Sequence, residues 1–474
     1  MTRRSLISAT CLSIALQAAV PGAIGLAAGG YAVVVSKATR DDPEWAAVVE
    51  ALVRKHGATA VFWEKGVSES LGPLREVLPR YIAFVARPEE SGREFVIAVH
   101  RLARRLDDDP YADALWGIVT GCRPEHALRI ARAKEPLIVR RAAGGTGIDL
   151  DLFEEGVWYS ECEKGVCFEK KRGGAAEKKT CPGDTTKALV DVFNEFRPDV
   201  FVTSGHATDR DWQIGYSYKN GQFRSRDGAL FGLDLEGNEH PIASSNPKVY
   251  LPAGNCLMGR IRDRDSMALA WMGSGGVNQM IGYVVSTWYG RAGWGTLEYF
   301  FKDAGRHTLS EAFFLNEQRI IHELVTRFPS TSGAEWEEWD IETDPRLLLR
   351  LAASLGYREW TDDVKDNAGL LWDRDTLAFY GDPAWEARLA PRKLPFETKL
   401  WVRGKVYALE IHAGEDCQPF RPVAALLPHR VRGVEILEGA ELGPVVADDF
   451  VLVTKPGRFE RGKTYRVRFR AERM

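Results

Sequence analysis

Short apolar runs alternate with amphipathic segments along most of the first 390 residues, and this alternation constrains the fold more than any other feature. The runs that begin at Tyr31, Ala58, Tyr81 and Trp116 are rich in β-branched and aromatic residues, as in strands that are buried on both faces. Segments with apolar residues at helical spacing follow them. Strands that alternate with helices in this way form parallel sheets through right-handed crossovers. We therefore expect an α/β protein with a doubly wound, mainly parallel sheet and helices on both faces.

Changes of composition divide the chain beyond residue 30 into four regions. Residues 31–140 and 186–390 carry the strand and helix alternation and are predicted to be two α/β subdomains. Residues 141–185 interrupt it with a Gly-rich start, three cysteines and a basic run, so we expect an exposed, mobile insertion there. Residues 396–474 alternate apolar and polar side chains between Gly and Pro turns, which predicts a small Ig-like antiparallel β-sandwich.

The first 30 residues have the composition of an export signal. Arg3 and Arg4 precede an apolar run from Leu6 to Val20, and an Ala/Gly-rich stretch follows the run. The arginine pair fits a twin-arginine signal, and an ordinary secretory signal is the alternative. We therefore expect an exported protein that is periplasmic, displayed on the cell surface or extracellular. No later run is long and apolar enough to predict a stable transmembrane anchor.

Charge and motif content narrow the classes of partner. The formal net charge of −3 gives no global basic field, so no nucleic-acid partner is predicted. The glycine-rich segment at Gly144 lacks the Lys and Ser/Thr of a phosphate-binding loop.

Cys162 and Cys167 flank a predicted hairpin turn and are candidates for a disulfide, whereas Cys181 adds only a third thiol to a zinc set that has no fourth ligand. No metal or cofactor is predicted, and the oligomeric state stays open.

A histidine and a cysteine follow two of the predicted strands. His206 and Cys256 each come after an apolar, β-branched run that ends in small residues. Ligands bind at the carboxyl ends of parallel strands, so we expect both side chains in one crevice. An imidazole beside a thiol can take its proton and produce the nucleophilic thiolate. The predicted oxyanion donors are the backbone N–H groups of Cys256 and of Gly205 or Ala207.

Together these features resemble the gingipain-like cysteine peptidases of the caspase–gingipain group. The resemblance covers about residues 81–383, and the C-terminal sandwich also matches the layout of that family. The stretches that carry it are Asp109-Pro-Tyr-Ala-Asp with Gly117-Ile-Val-Thr-Gly-Cys-Arg-Pro, Val202-Thr-Ser-Gly-His206, Leu251-Pro-Ala-Gly-Asn-Cys256, and Gly282-Tyr-Val-Val-Ser-Thr-Trp288 with Tyr380-Gly-Asp-Pro383. The resemblance implies a caspase-like fold and a thiol protease that hydrolyses proteins or peptides. It makes Cys256 the nucleophile and His206 the general acid and base.

Two positions depart from the family pattern. Ala207 follows the histidine where the family usually has Gly, and a positive φ at that position would strain an alanine. Asn255 precedes the cysteine where the family usually has a small residue. Neither change removes a reacting atom, but both residues lie beside the reactive pair, so both affect the expectation of catalytic activity.

The resemblance also directs attention to a specificity pocket. Family members that cut after Arg use an acid there, which makes Asp109 the candidate and Asp108 its rival, since a carboxylate pairs bidentately with a guanidinium. The alternative for both is a solvated acidic turn before a strand. Trp288 and Tyr289 are predicted either to wall this pocket or to belong to the core.

The expected function is that of an exported cysteine endopeptidase with a preference for a basic residue before the cut. The basic run from Lys170 to Lys179 is a candidate site of activation or self-cleavage. Two alternatives stay open. One is a catalytically silent, exported binding or assembly protein on the same scaffold. The other is a cysteine transpeptidase, which would resolve the same acyl-enzyme with an amine.

Overall fold

The computed structural model describes residues 30–341, 344 and 346–474. The predicted export signal therefore lies outside the described residues except for Gly30, its last residue. Among the helices that are described, none is both long enough and apolar enough to cross a membrane.

The first subdomain follows the predicted alternation of strands and helices. Its elements are β1 Tyr31–Ser36, α1 Lys37–Asp41, α2 Pro43–His56, β2 Thr59–Trp63, α3 Leu71–Val77, β3 Tyr81–Val85, α4 Arg93–Ala103, β4 Leu115–Val119 and α5 Pro124–Arg132.

Local sequence explains where helices begin and end. The helix α2 starts at Pro43, and the side chain of Asp42 caps it by accepting backbone N–H groups of the first turn. It ends at Gly57, whose φ of 61° is a left-handed conformation that glycine adopts without strain.

The predicted insertion at residues 141–185 consists largely of regular structure. The elements from the end of the first subdomain to residue 180 are β5 Leu137–Val139, β6 Arg141–Gly144, β7 Glu155–Tyr159, β8 Val166–Lys170 and β9 Ala176–Thr180. Strands β6 to β9 hydrogen-bond to one another and extend the main sheet, so much of the predicted insertion belongs to that sheet, and β5 pairs with β18 in a separate two-stranded sheet. The expectation of exposure holds for the basic residues 171–179, which are exposed except for a partly buried Lys179.

The second subdomain contains the remaining elements of the α/β body. They are α6 Thr186–Asp191, β10 Val200–Thr203, β11 Asp211–Gln213, β12 Gln222–Arg226, β13 Ala229–Leu233, β14 Glu239–Ile242, β15 Lys248–Pro252, α7 Met267–Met272, β16 Val277–Tyr283, α8 Arg291–Lys302, α9 Leu309–Arg327, α10 Leu347–Ser354, α11 Asp362–Arg374, β17 Leu377–Tyr380 and β18 Ala387–Leu389. Strands β11 to β14 form a separate antiparallel sheet, which the sequence reading did not predict.

A 12-stranded sheet organises the body, with strand order β2-β1-β3-β4-β17-β16-β15-β10-β6-β7-β8-β9. The strands from β2 to β17 are mutually parallel, and so are those from β16 to β7. The pair β16 and β17 is antiparallel, so the two halves of the sheet run in opposite directions. The predicted mainly parallel sheet is thus confirmed. As a consequence, the carboxyl ends of β16, β15 and β10 share an edge with the amino ends of β17 and β4.

Both faces of the central strands are covered. Every residue of β1, β4, β10, β15 and β16 is buried. Successive side chains of a strand point to opposite faces, so full burial requires packing on both sides. This explains the continuous apolar runs in the sequence.

The C-terminal region forms two small antiparallel sheets. Its strands are β19 Phe396–Arg403, β20 Val406–Ala413, β21 Val423–Leu426, β22 Val431–Glu438, β23 Pro444–Val446, β24 Phe450–Val453 and β25 Thr464–Arg473. The sheet orders are β19-β20-β25-β22 and β21-β24-β23. Buried residues of both sheets belong to one apolar cluster that is distinct from the main core. Strand β24 also contacts the α/β body, where its first residue, Phe450, packs edge-on against Tyr111 at 5.2 Å between ring centroids.

Candidate active site

His206 and Cys256 follow two strands that lie side by side. β10 and β15 are adjacent and parallel, and their last paired residues are Thr203 and Pro252. The expectation that both residues follow neighbouring strand ends is therefore confirmed. Because the strands end at the same edge of the sheet, the loops that carry the two residues emerge together.

The side chain of Asn255 joins these two loops. Its Nδ2 donates a hydrogen bond to the carbonyl oxygen of Gly205 at 2.9 Å. Its Oδ1 accepts a hydrogen bond from the hydroxyl of Thr203 at 2.6 Å. The residue before Cys256 is thus bonded directly to the residue before His206.

Cys256 is half-buried and lies against the segment that follows β16. The backbone N–H of Thr287 donates to its Sγ at 3.3 Å. The hydroxyl of Thr287 donates to the carbonyl oxygen of Asn255 at 3.0 Å. The thiol in turn lies 3.9 Å from the carbonyl oxygen of Thr287, so the backbone of one residue contacts the sulfur as donor and as acceptor.

His206 is exposed, and its ring stacks on Tyr216. The ring centroids are 4.9 Å apart and the ring planes are inclined by 28°. The carbonyl oxygen of His206 accepts the N–H of Gln213 at 3.0 Å. Within the described part of the chain, neither ring nitrogen has a hydrogen-bond partner, so both are open to a substrate or to the thiol.

The backbone around the pair offers unused donors. Among the described residues, the N–H groups of Gly205 and Cys256 have no acceptor, as an oxyanion site requires. Leu257 takes a left-handed conformation with φ of 58°, which is uncommon for a residue with a side chain. Its N–H donates to the carbonyl of Val285 at 3.1 Å, which holds the turn that presents Cys256.

The strain anticipated at Ala207 is absent. The positive φ falls on Gly205, at 88°, and Ala207 does not have one. Ala207 instead lies opposite Trp212 in a short antiparallel bridge. The alanine therefore fits the observed backbone, and its own N–H stays free among the described residues.

An acid that the sequence reading missed lies beside the histidine loop. The carboxylate of Glu161 accepts hydrogen bonds from the hydroxyls of Thr146 at 2.6 Å and Ser204 at 3.4 Å. The backbone carbonyl oxygen of Glu161 accepts a hydrogen bond from the N–H of Tyr216 at 2.7 Å, and the ring of Tyr216 stacks on His206. Glu161 belongs to the segment that the sequence predicts to be an exposed insertion. Its position depends on the pairing of β6 with β10, for which the sequence carries no local signal.

Asp108 and Asp109 belong to the loop between α4 and β4. They precede β4, three strands from β15 in the sheet, which corresponds to about 14 Å between strands. Asp108 is exposed, and Asp109 lies near Asp448 of the C-terminal region. Burial, and then the charge of Asp107, raise the pKa of Asp109 to about 6. The acidic turn therefore packs towards the sandwich.

Trp288 and Tyr289 pack in an aromatic cluster next to the site. Trp288 directly follows the threonine that contacts Cys256, and its ring lies 6.2 Å from that of Trp360. Tyr289 is held against α11, where its hydroxyl donates to Asp366 at 2.8 Å. Both residues are partly buried, which fits the packing alternative for Tyr289 and leaves Trp288 at the border of the site.

Two exposed aromatic rings flank the reactive pair. Tyr216 is 52% exposed on the histidine side. Trp294, at the start of α8, is 41% exposed and covers Gly254, where a Cβ would lie 3.2 Å from the indole. Large exposed aromatic side chains beside a nucleophile can bind the side chains of a substrate. The sequence did not indicate either, because nothing local distinguishes them from core aromatics.

Cys162, Cys167 and Cys181 are free thiols in the segment between β7 and α6. Cys162 is exposed and Cys167 is buried, and the neighbouring thiol of Cys167 is that of Cys181. Burial, and then Cys167, raise the pKa of Cys181 to about 12. The suggested Cys162–Cys167 pairing is thus corrected, because the β8–β9 hairpin brings Cys181 next to Cys167.

A group of three carboxylates could hold a metal ion. In the described part of the chain, oxygen atoms of Asp107, Asp109 and Asp113 lie within 4.8 Å of one another. The group lies in the loop between α4 and β4.

Comparison of the chain with protein-family models, with curated proteins and with solved structures finds no match. The chemistry that the site can perform therefore follows from its residues. A half-buried thiol with an N–H donor, an exposed imidazole on the next strand end and free backbone N–H groups are the components that acyl transfer requires.

Proposed function

We propose that the protein is a cysteine endopeptidase with Cys256 as nucleophile and His206 as general acid and base. The observation that carries this proposal is the position of the two residues after adjacent parallel strands, in loops tied by the bond from Asn255 to Gly205. The free N–H groups of Cys256 and Gly205 support it, because they can receive the negative charge that develops on the carbonyl oxygen.

The reaction proceeds in two stages. The thiolate of Cys256 attacks the carbonyl carbon of the scissile peptide, and the resulting oxyanion accepts the backbone N–H groups. The imidazolium of His206 protonates the leaving amine, which departs and leaves a thioester. His206 then takes a proton from water, the water attacks the thioester, and the acid product and free thiol are released.

Glu161 is the best-placed acid for a preference for a basic residue before the cut. Its Oε1 receives two hydroxyl donors, whereas its Oε2 has no partner among the described residues. The free oxygen is available to a guanidinium or ammonium group of the substrate. Glu161 thus takes over, in this proposal, the role first considered for Asp109 and Asp108.

The proposal includes a gingipain-like identity, a caspase-like arrangement of the α/β body, an Ig-like C-terminal sandwich and export from the cytoplasm. The division of the large sheet into two halves supports the second and the two C-terminal sheets support the third, whereas the identity and the export rest on the sequence. Self-cleavage is confined to the turn between β8 and β9, around Arg172, because the flanking basic residues are paired in strands.

The test is to map cleavage of a peptide library by mass spectrometry. We expect cuts after Arg or Lys by the wild-type protein and no cuts by Cys256→Ala. Cys162→Ala is the matched control, because it removes an exposed thiol and should retain activity. Products that carry an added primary amine would indicate the transpeptidase. Intact peptides under all conditions would favour the catalytically silent binding protein.

A further inference from the structure

Asn255 is a fully buried polar side chain between the cysteine loop and the histidine loop. The hydroxyl of Thr203 donates to its Oδ1 and in turn lies 2.9 Å from the hydroxyl of Tyr250. Its Nδ2 is bonded to the carbonyl of Gly205, an acceptor that only the amide nitrogen can satisfy. Because a buried amide without partners is destabilising, these bonds hold the side chain in one orientation.

The bond to Gly205 fixes the peptide that leads into His206. The peptide group is planar, so holding the carbonyl of Gly205 also holds the N–H and the Cα of His206. Gly205, with φ of 88°, has the widest backbone freedom of any residue type and would otherwise leave this peptide free to rotate.

The ring of His206 depends on this backbone restraint. Among the described residues no side chain bonds either ring nitrogen, and the stacking on Tyr216 restrains only the plane of the ring. At the other end, the carbonyl of Asn255 is held by Thr287, whose N–H contacts the Sγ of Cys256. One residue is thereby bonded to the supports of both members of the pair.

We infer that Asn255 is a positioning residue that holds the imidazole of His206 in a fixed position relative to the thiol of Cys256. This inference rests on the proposed peptidase function. Loss of the bond to Gly205 should lower kcat by about 10- to 100-fold with little change in KM, because misplacement by about 1 Å can have an effect of that size.

The test measures the rate at which iodoacetamide alkylates Cys256 as a function of pH, which needs no peptide substrate. The wild-type profile should contain an inflection that disappears in His206→Ala. Asn255→Ala and Asn255→Asp should lose the same inflection. The aspartate is isosteric and keeps the acceptor for Thr203, so in its carboxylate form it removes the donor to Gly205 without leaving a cavity.

Thermal unfolding and a matched control separate positioning from folding. Asn238→Ala removes an exposed amide that is bonded to Asp234 and should leave the profile unchanged. Folded Asn255 variants that retain the wild-type profile and kcat would overturn the inference and leave Asn255 a purely structural residue. If wild type and His206→Ala have identical profiles, the proposed pair itself is refuted, and the inference with it.

Discussion

Replacing Glu161 with glutamine should remove the preference for a basic residue before the cut. The glutamine has the same size and keeps a carbonyl oxygen for the hydroxyl of Thr146, so the local structure should persist. What is lost is the negative charge next to the histidine loop. A hydrogen bond to a charged group contributes about 1.5–3 kcal/mol, which corresponds to about a 10- to 150-fold change in kcat/KM.

The assay compares peptides that differ only in arginine or citrulline before the cut. Citrulline has the shape of arginine without its charge. We expect Glu161→Gln to lower kcat/KM by about 10- to 150-fold for arginine, with a change of less than about threefold for citrulline. Glu163→Gln, in the same turn but exposed, is the matched control and should change neither value.

Equal losses of kcat/KM for both peptides would show that Glu161 supports the loop and does not bind the positive charge of the substrate. An unchanged rate with arginine would refute its role in specificity and return attention to other acids.

Three further predictions concern stability and substrate contacts. Burial alone would raise the pKa of Asp382, but the hydrogen bond from His56 and the charge of Lys55 lower this pKa to about 2. The Asp382 carboxylate therefore stabilises the fold above about pH 4, and this stabilisation is lost as the pH falls towards 2. Asp382→Asn should lower the unfolding free energy at pH 7 by about 3 kcal/mol in denaturant titrations. Burial and the neighbouring acids raise the pKa of Asp113 to about 9, so its contribution to stability should decline as the pH rises from about 4 to 9. The unfolding free energy of Asp113→Asn should depend less on pH over that range than that of the wild type. Trp294→Ala should raise KM several-fold in peptide assays while the melting temperature stays unchanged.

The sequence predicted the elements whose signals are local. The apolar runs before His206 and Cys256 identified two strands, and the small residues after them identified the strand ends. Their adjacency followed from the general behaviour of parallel sheets, and the structure bears it out.

What the sequence could not predict depends on pairing between distant segments. Glu161 reaches the histidine loop because β6 pairs with β10, and the small Gly-rich residues of β6 read as a loop. In the sequence, Asn255 is a departure from the family pattern, but in the structure its side chain joins the cysteine loop to the histidine loop. The family resemblance assigns Asp109 to the pocket, whereas its loop precedes β4, three strands from β15, and no local pattern encodes that strand order.

The most direct test of the proposed function is covalent labelling of the folded protein by a peptidyl acyloxymethyl ketone that ends in arginine. The account predicts one adduct, mapped by mass spectrometry to Cys256, and much slower labelling in His206→Ala. Absence of an adduct on Cys256, or labelling of the exposed Cys162 at the same rate, would contradict it.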